Sequence, residues 1–221
     1  MKQTTLLYQP RSKEQLIMPP LTLFSSTKAV ICIMFCAQLF STKLQATEFE
    51  ITPMFGQTFG SDLASSETTS SLSTTNEPNF AISFAWQDSP TGQGQILVNY
   101  ISRDFTEDVN QSTHSFDTIY THFNGVAFFK DGDYTTTVGL GFGATYFNSD
   151  FDNALYPSIT AAVGTRYEFS SNFTFITELR AYATLTDNDD TLFCQSDNCM
   201  AQFDSTIWFD TQLSLGIAYR F

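Results

Sequence analysis

The sequence predicts an all-β chain, folded as an eight-stranded antiparallel transmembrane up-and-down β-barrel. Three observations predict it. The first is the C-terminal stretch: counting back from Phe221 in steps of two gives Tyr219, Ile217, Leu215 and Leu213, all apolar. The residues between them, Arg220, Ala218, Gly216, Ser214 and Gln212, are small or polar, apart from the single charge of Arg220. A period of two puts the two sets on opposite faces of one strand. In a membrane barrel the apolar face meets lipid and the other face a lumen; in a soluble sandwich or lipocalin-like barrel the apolar face would line a core. The second observation is that seven upstream segments repeat this period. The third is that their connections alternate in kind.

The N-terminal 46 residues stand apart from the fold. Lys28 precedes an apolar run from Ala29 to Phe40, followed by a polar stretch ending at Ala46. A basic flank, a short apolar core and a small residue before the mature start describe a secretory signal peptide. The run falls short of the ~20 apolar residues of a transmembrane helix. Residues 1–46 are thus expected to be an N-terminal extension and signal peptide, with cleavage after Ala46, and 47–221 a barrel domain. Met18 is a candidate alternative start, and an uncleaved N-terminal anchor is the competing reading. Neither Cys32 nor Cys36 follows a small residue, so a lipoprotein is not indicated.

Composition fits the barrel. The 221 residues are 42% hydrophobic with a mean hydropathy of −0.10, which resembles a soluble protein. Alternating lipid-facing and lumen-facing residues cancel in such an average. The 23 Phe and 9 Tyr suit aromatic girdles at the membrane interfaces. Without the leader's five bases and one acid, the chain keeps five bases against 22 acids, a net charge of −17. That balance excludes a nucleic-acid partner.

Taken in order, the first segment sets Phe49, Ile51, Pro53 and Phe55 against Glu50, Thr52, Met54 and Gly56. The second sets Phe80, Ile82, Phe84 and Trp86 against Ala81, Ser83, Ala85 and Gln87. The third, from about Gln95 to Arg103, puts Ile96, Val98 and Tyr100 on one face. The fourth, Phe116 to Phe129, is less regular, because Tyr120 and Phe123 fall on opposite faces. The fifth sets Tyr134, Val138, Leu140, Phe142 and Tyr146 against Thr and Gly. The sixth sets Ile159, Ala161, Val163, Tyr167 and Phe169 against Ser158, Thr160, Gly164, Arg166 and Glu168. The seventh sets Phe173, Phe175, Leu179 and Leu185 against Thr174, Glu178, Arg180 and Tyr182. The eighth is the C-terminal strand, reaching back through Phe209 and Ile207. After segments two, four and six come the short turns 88–94, 130–133 and 170–172. After one, three, five and seven come 60–79, 104–115, 148–154 and 187–204, which are longer or richer in acid. Short periplasmic turns alternating with longer external loops is the asymmetry of outer-membrane barrels, with both termini periplasmic.

The polar faces carry charge. Arg166, Glu168, Glu178, Arg180, Asp210 and Arg220 share the inward parity, and Glu50, Arg103 and Asp117 extend the set. Eight strands leave an interior that side chains can fill, and buried charges must pair. A plugged lumen crossed by Arg–Glu pairs is expected, with these charges holding the barrel together and doing no chemistry.

The stretch Phe49-Glu50-Ile51-Thr52-Pro53-Met54-Phe55-Gly56, the segments Arg166-Tyr167-Glu168-Phe169 and Glu178-Leu179-Arg180, and the terminal strand resemble small outer-membrane β-barrel proteins of the OmpA/OmpX type, the porin-like outer-membrane β-barrel superfamily. The resemblance covers roughly residues 47–221. It implies a Gram-negative outer membrane, contact with outer-membrane lipids and lipopolysaccharide, and reading of Leu213, Leu215, Ile217, Tyr219 and Phe221 as an assembly signal by the barrel assembly machinery. A monomer without cofactors is expected. The leading function is a structural or surface-interaction role with a filled lumen; the alternative is a small passive channel for small or hydrophobic molecules, as in OmpW-type barrels. With no peptidoglycan-binding domain after Phe221, cell-wall tethering of the two-domain kind is not expected.

An outer-leaflet lipid enzyme is disfavoured. Such chemistry needs a nucleophile, a base and an orienting group, and neither His114, in the acidic second loop, nor His122, in the fourth segment, shows a His-x-Ser arrangement of the barrel deacylases. Cys194 and Cys199, an even pair in an exported chain, read as a disulfide; a metal site would want more than two soft ligands, and no histidine lies nearby. Asp104, Glu107, Asp108, Asp150, Asp152, Asp187, Asp189, Asp190, Asp197 and Asp204 gather in the outer loops. They read as a solvated rim, or as carboxylates that divalent cations bridge to lipopolysaccharide.

Overall fold

In a computed structural model the described residues are 48–61, 63–65, 71–72, 76–106, 113–187, 194–195, 198–199, 201–203 and 205–221. The extension and leader, residues 1–46, lie outside them, as does most of the serine- and threonine-rich first loop. No helix occurs among the described residues. Eight strands form a closed barrel: β1 (Phe49–Gly60), β2 (Pro78–Ser89), β3 (Gly92–Thr106), β4 (Thr113–Asp131), β5 (Tyr134–Ser149), β6 (Asn153–Glu168), β7 (Phe173–Leu185) and β8 (Ile207–Arg220). Each pairs antiparallel with its chain neighbour, and β1 closes the ring on β8 with Glu50 opposite Arg220 and Phe59 opposite Thr211. Closure leaves no sheet edge, so each strand pairs on both sides within the barrel.

Period two governs the wall. On β3 every second residue from Gln93 to Phe105 is buried, and on β8 the buried set runs from Trp208 to Ala218. Buried residues point into the lumen; exposed ones form the outer surface, where Phe55, Leu140, Phe142 and Leu155 are each about two-thirds exposed. A continuous wall of exposed Phe, Leu, Ile and Val is stable in lipid and not in water. The chain is a transmembrane β-barrel. The irregularity of the fourth segment disappears here: Phe116, Thr118, Tyr120, His122 and Asn124 all face inward, and Thr121 and Phe123 outward. Alternation on β4 is strict, but its inward face includes aromatics, which apolar counting assigns to the wrong side.

The connections at one end are tight. Pro90 and Thr91 join β2 to β3, and residues 169–172 join β6 to β7. Gly132 and Asp133 join β4 to β5, with Gly132 at φ 64°, a left-handed conformation that suits a two-residue hairpin turn. At the other end lie the long connections, with one exception. The expected loop 148–154 is only the turn Asp150-Phe151-Asp152, because β5 and β6 keep pairing as far as Asn148 and Asn153. Ser149 makes this possible: its Oγ accepts hydrogen bonds from the amides of Phe151 (3.2 Å) and Asp152 (3.1 Å), so a side chain organises the reversal. The strands also run longer than crossing requires. β4 has 19 residues, against ~10 for a tilted transmembrane strand, and the excess extends the barrel at its loop end.

Across that end, Ala201–Phe203 pairs with Leu63–Ser65, which pairs in turn with Ser71–Leu72. The first and last loops are thus bound to each other by a three-stranded sheet of their own.

Candidate functional site: the lumen and its closed loop end

The lumen is polar along most of its length and apolar at one end. At the turn end, the Arg166 guanidinium grips the Glu50 carboxylate with two parallel bonds, Nη1 to Oε1 at 3.0 Å and Nη2 to Oε2. Both side chains are 6% exposed, and Arg166 also stacks over Phe128 at 5.4 Å. A fork-to-fork pair of this kind has the strongest geometry open to a buried charge. In the middle, Arg180 donates from Nε to Glu178 at 2.8 Å and from Nη1 to Thr160 at 3.3 Å and to Asn124 at 3.5 Å. Nearer the loop end, Arg103 pairs with Asp210 at 2.9 Å, both fully buried, and Tyr120 donates its phenol proton to the same carboxylate. Three cations are therefore matched by three anions at three depths.

Glu168 and Arg220 do not belong to this interior set. They share the inward parity but sit at the turn-end mouth, where Arg220 contacts Glu168 at 3.3 Å and Glu48 at 3.5 Å, with Glu168 about half exposed. The last inward position of a strand opens onto water, so parity alone overcounts the lumen by two residues at the turn end. Asp117 faces outward and accepts a hydrogen bond from Tyr100 at 2.8 Å.

Between the charged layers lie groups that parity arguments reach only in part. Tyr120 and Tyr182 stack with centroids 4.0 Å apart, nearly parallel, and His122 lies 5.4 Å from Tyr182. Asn79 donates to Asn99 at 2.9 Å, and Asn99 donates to Gln212 at 2.8 Å. His122 Nε2 and Ser158 Oγ are 2.9 Å apart. This histidine–serine contact spans two strands and leaves no trace in local sequence. Both residues are buried, and His122 Nδ1 has no partner among the described residues, so the acid that would orient a base is lacking. His114 lies in β4 rather than in the second loop and is half-buried, packed against Phe105 (5.6 Å) and Phe151 (5.3 Å).

Above Arg103 the lumen turns apolar. Leu63, Phe105, Phe116, Phe147, Phe203 and Trp208 form one buried cluster, with Ala154 and Tyr156 packed on it. Trp208 meets Phe116 and Phe147 edge-on, and Arg103 stands 5.8 Å from its ring. Four of the six come from the strand ends that overrun the membrane; Leu63 and Phe203 come from the paired first and last loops. Contacts among ring edges and faces add to the area they bury. The cluster is a stopper across the barrel.

The terminal-strand residues Leu213, Leu215, Ile217, Tyr219 and Phe221 all face outward, each about half exposed. In the last loop the backbone pairs Cys194 directly with Cys199; their side chains lie outside what is described. Among the described residues no group of three or more His, Cys, Asp or Glu could hold a metal ion.

An outward apolar wall, closed strand pairing and a charge-matched interior define an eight-stranded transmembrane β-barrel. The fold is shared with solved outer-membrane barrels. Neisserial surface protein A is similar with a TM-score of 0.56 at 11% identity, covering 78% of this chain and 97% of that one. The outer membrane protein OprG from Pseudomonas aeruginosa is similar with a TM-score of 0.55 at 11% identity, covering 80% of this chain and 96% of that one. No protein-family model and no curated protein sequence matches the chain.

Proposed function

We propose that this chain is an integral protein of the bacterial outer membrane, with a structural or surface-interaction role carried by its loop end. The loop end faces outward and both termini face the periplasm, after removal of residues 1–46 as a signal peptide. The carrying observation is the stopper of Phe105, Phe116, Phe147 and Trp208 with the two loop residues Leu63 and Phe203, seated above three ion-paired layers. A water path would have to displace buried rings and separate buried charges, and both moves are costly. The reading is supported by fold likeness to outer-membrane barrels and by a wall that requires lipid. The passive channel is the reading it displaces.

With the strands committed to pairing and lipid, variable chemistry belongs on the loops. The last loop is the best platform. Cys194 opposite Cys199 has the register of a cross-strand bridge: directly opposed antiparallel Cα atoms lie roughly 4.5–5.5 Å apart, inside the disulfide range of about 4.4–6.8 Å. A disulfide there fixes the loop tip and lowers the ordering cost of binding. Outer-membrane lipids, lipopolysaccharide through bridging divalent cations, and the assembly machinery at the terminal strand are the partners this reading carries. It assigns no catalysis and no cofactor.

Single-channel recording in planar bilayers tests it. The expected result is insertion without steady current; a stable ohmic conductance in the parent protein would replace this reading with the channel.

A further inference from the structure

The outer wall carries an open groove floored by glycine. A row of directly opposed outward residues crosses four strands: Trp86 on β2, Gly94 on β3, Gly125 on β4 and Leu140 on β5. At about 4.8 Å per strand the row spans roughly 14 Å, and its two central positions have no side chain. The chain itself explains Gly94, since a Cβ there would clash with the Trp86 indole, which folds over it. Gly125 has no such reason. A Cβ there would meet nothing within 4 Å, and its φ is not left-handed. Glycine inside a strand costs order and often marks a place where something else approaches the backbone closely. The result is a groove of about 640 Å³ with a glycine floor and walls of Trp86, Phe123 and Leu140. That volume lies within the roughly 300–1,000 Å³ of small-molecule sites.

One charged residue lines the groove, the exposed Asp88. It sits at the β-bulge between Gln87 and Ser89, where the β2–β3 register shifts, beside the Pro90–Thr91 turn. An occupant must therefore join a long apolar part, laid along the glycine row, to a cationic group at the turn end. We propose that this groove is a binding site for a phospholipid with a primary ammonium headgroup, phosphatidylethanolamine, one acyl chain lying over Gly125 and the ammonium paired with Asp88. An anionic headgroup such as phosphatidylglycerol would set its charge against that carboxylate. The inference rests on the membrane placement proposed above.

The test uses the folded protein extracted from membranes into detergent micelles and native mass spectrometry with phosphatidylethanolamine or phosphatidylglycerol added at equal concentration. The parent should retain one phosphatidylethanolamine more strongly than phosphatidylglycerol. Gly125→Leu fills open space on an outward strand position, so the barrel should fold, and it should lower retention about tenfold. Asp88→Asn should keep lipid binding but lose the headgroup preference, by about threefold for an interfacial ion pair. Ala161→Leu, an exposed change on another part of the wall, should alter neither. Equal retention of the two lipids by the parent, or unchanged retention in Gly125→Leu, overturns the proposal. So does a parent dimer that Gly125→Leu converts to monomer, since a second copy would then fill the groove. Membrane fractionation tests the placement separately, so its failure is distinguishable from failure of the lipid site.

Discussion

Arg180 shows what one residue does in this interior. Its side chain is 1% exposed and reaches Glu178, Thr160 and Asn124, on three strands. Arg180→Ala should destabilise the barrel by ~3–5 kcal/mol, because it leaves the Glu178 carboxylate buried without its cation. Removing both charges, as in Glu178→Gln with Arg180→Met, should cost less than the single change. Urea unfolding of refolded protein in micelles checks both, and a loss well under 1 kcal/mol for Arg180→Ala would mean that water fills the middle of the lumen. The contrast is Arg220→Ala. Its pairs with Glu48 and Glu168 sit at a wet mouth, so the expected loss is below about 1 kcal/mol.

At the scale of elements, the loop-end stopper and the last strand carry the sharpest predictions. Trp208 is 2% exposed and touches Phe116, Phe147 and Phe203. Trp208→Ala should cost ~3–5 kcal/mol as a large-to-small core change and, because the ring joins Phe116, Phe147 and Phe203 in one cluster, should introduce current events absent from the parent in planar bilayers. A silent, equally stable variant would show that the stopper is not what closes the barrel. On β8, Phe221→Ser should leave export intact while lowering the amount of assembled barrel, read as the fraction of protein that resists unfolding in cold detergent. For the last loop, protein isolated from cells should show no thiol reactive with maleimide at Cys194 or Cys199. Cys194→Ser with Cys199→Ser should keep the barrel folded, and free thiols in the parent would remove the bridge.

The whole molecule is polarised in charge. Of the five bases after residue 46, three lie inside, Arg220 is at the turn-end mouth and Lys130 lies beside the β4–β5 turn; the loop-end connections 61–77, 107–112, 150–152 and 186–206 hold none. The loop-end connections thus carry acids and no base, a balance that disfavours anionic partners unless cations intervene. The protein should fractionate with outer membranes and should change gel mobility when heated, as a closed barrel opens. Recovery in a soluble periplasmic fraction would refute the membrane placement.

What the sequence determined by itself is the wall. Lipid accepts only apolar side chains and strand geometry alternates strictly, so each outward face is written locally as every second residue, and Phe49, Ile51 and Phe55 or Leu213, Leu215 and Ile217 can be read without knowing any partner. The tight turn at Gly132 and the inward parity of Arg166 and Arg180 are legible for the same reason. Tertiary structure alone decided who meets whom inside. Glu50 and Arg166 are 116 residues apart and Tyr120 and Asp210 are 90 apart, and those partnerships depend on barrel closure, strand tilt and register. The same closure moved Glu168 and Arg220 out to the mouth, brought His122 to Ser158, and gathered six aromatic and aliphatic side chains from strand ends and loops into one stopper. An inward aromatic looks like an outward one in the sequence. Only the ring of strands gives it a side, because lumen packing is set by distance across the barrel while the lipid face is set by each strand alone.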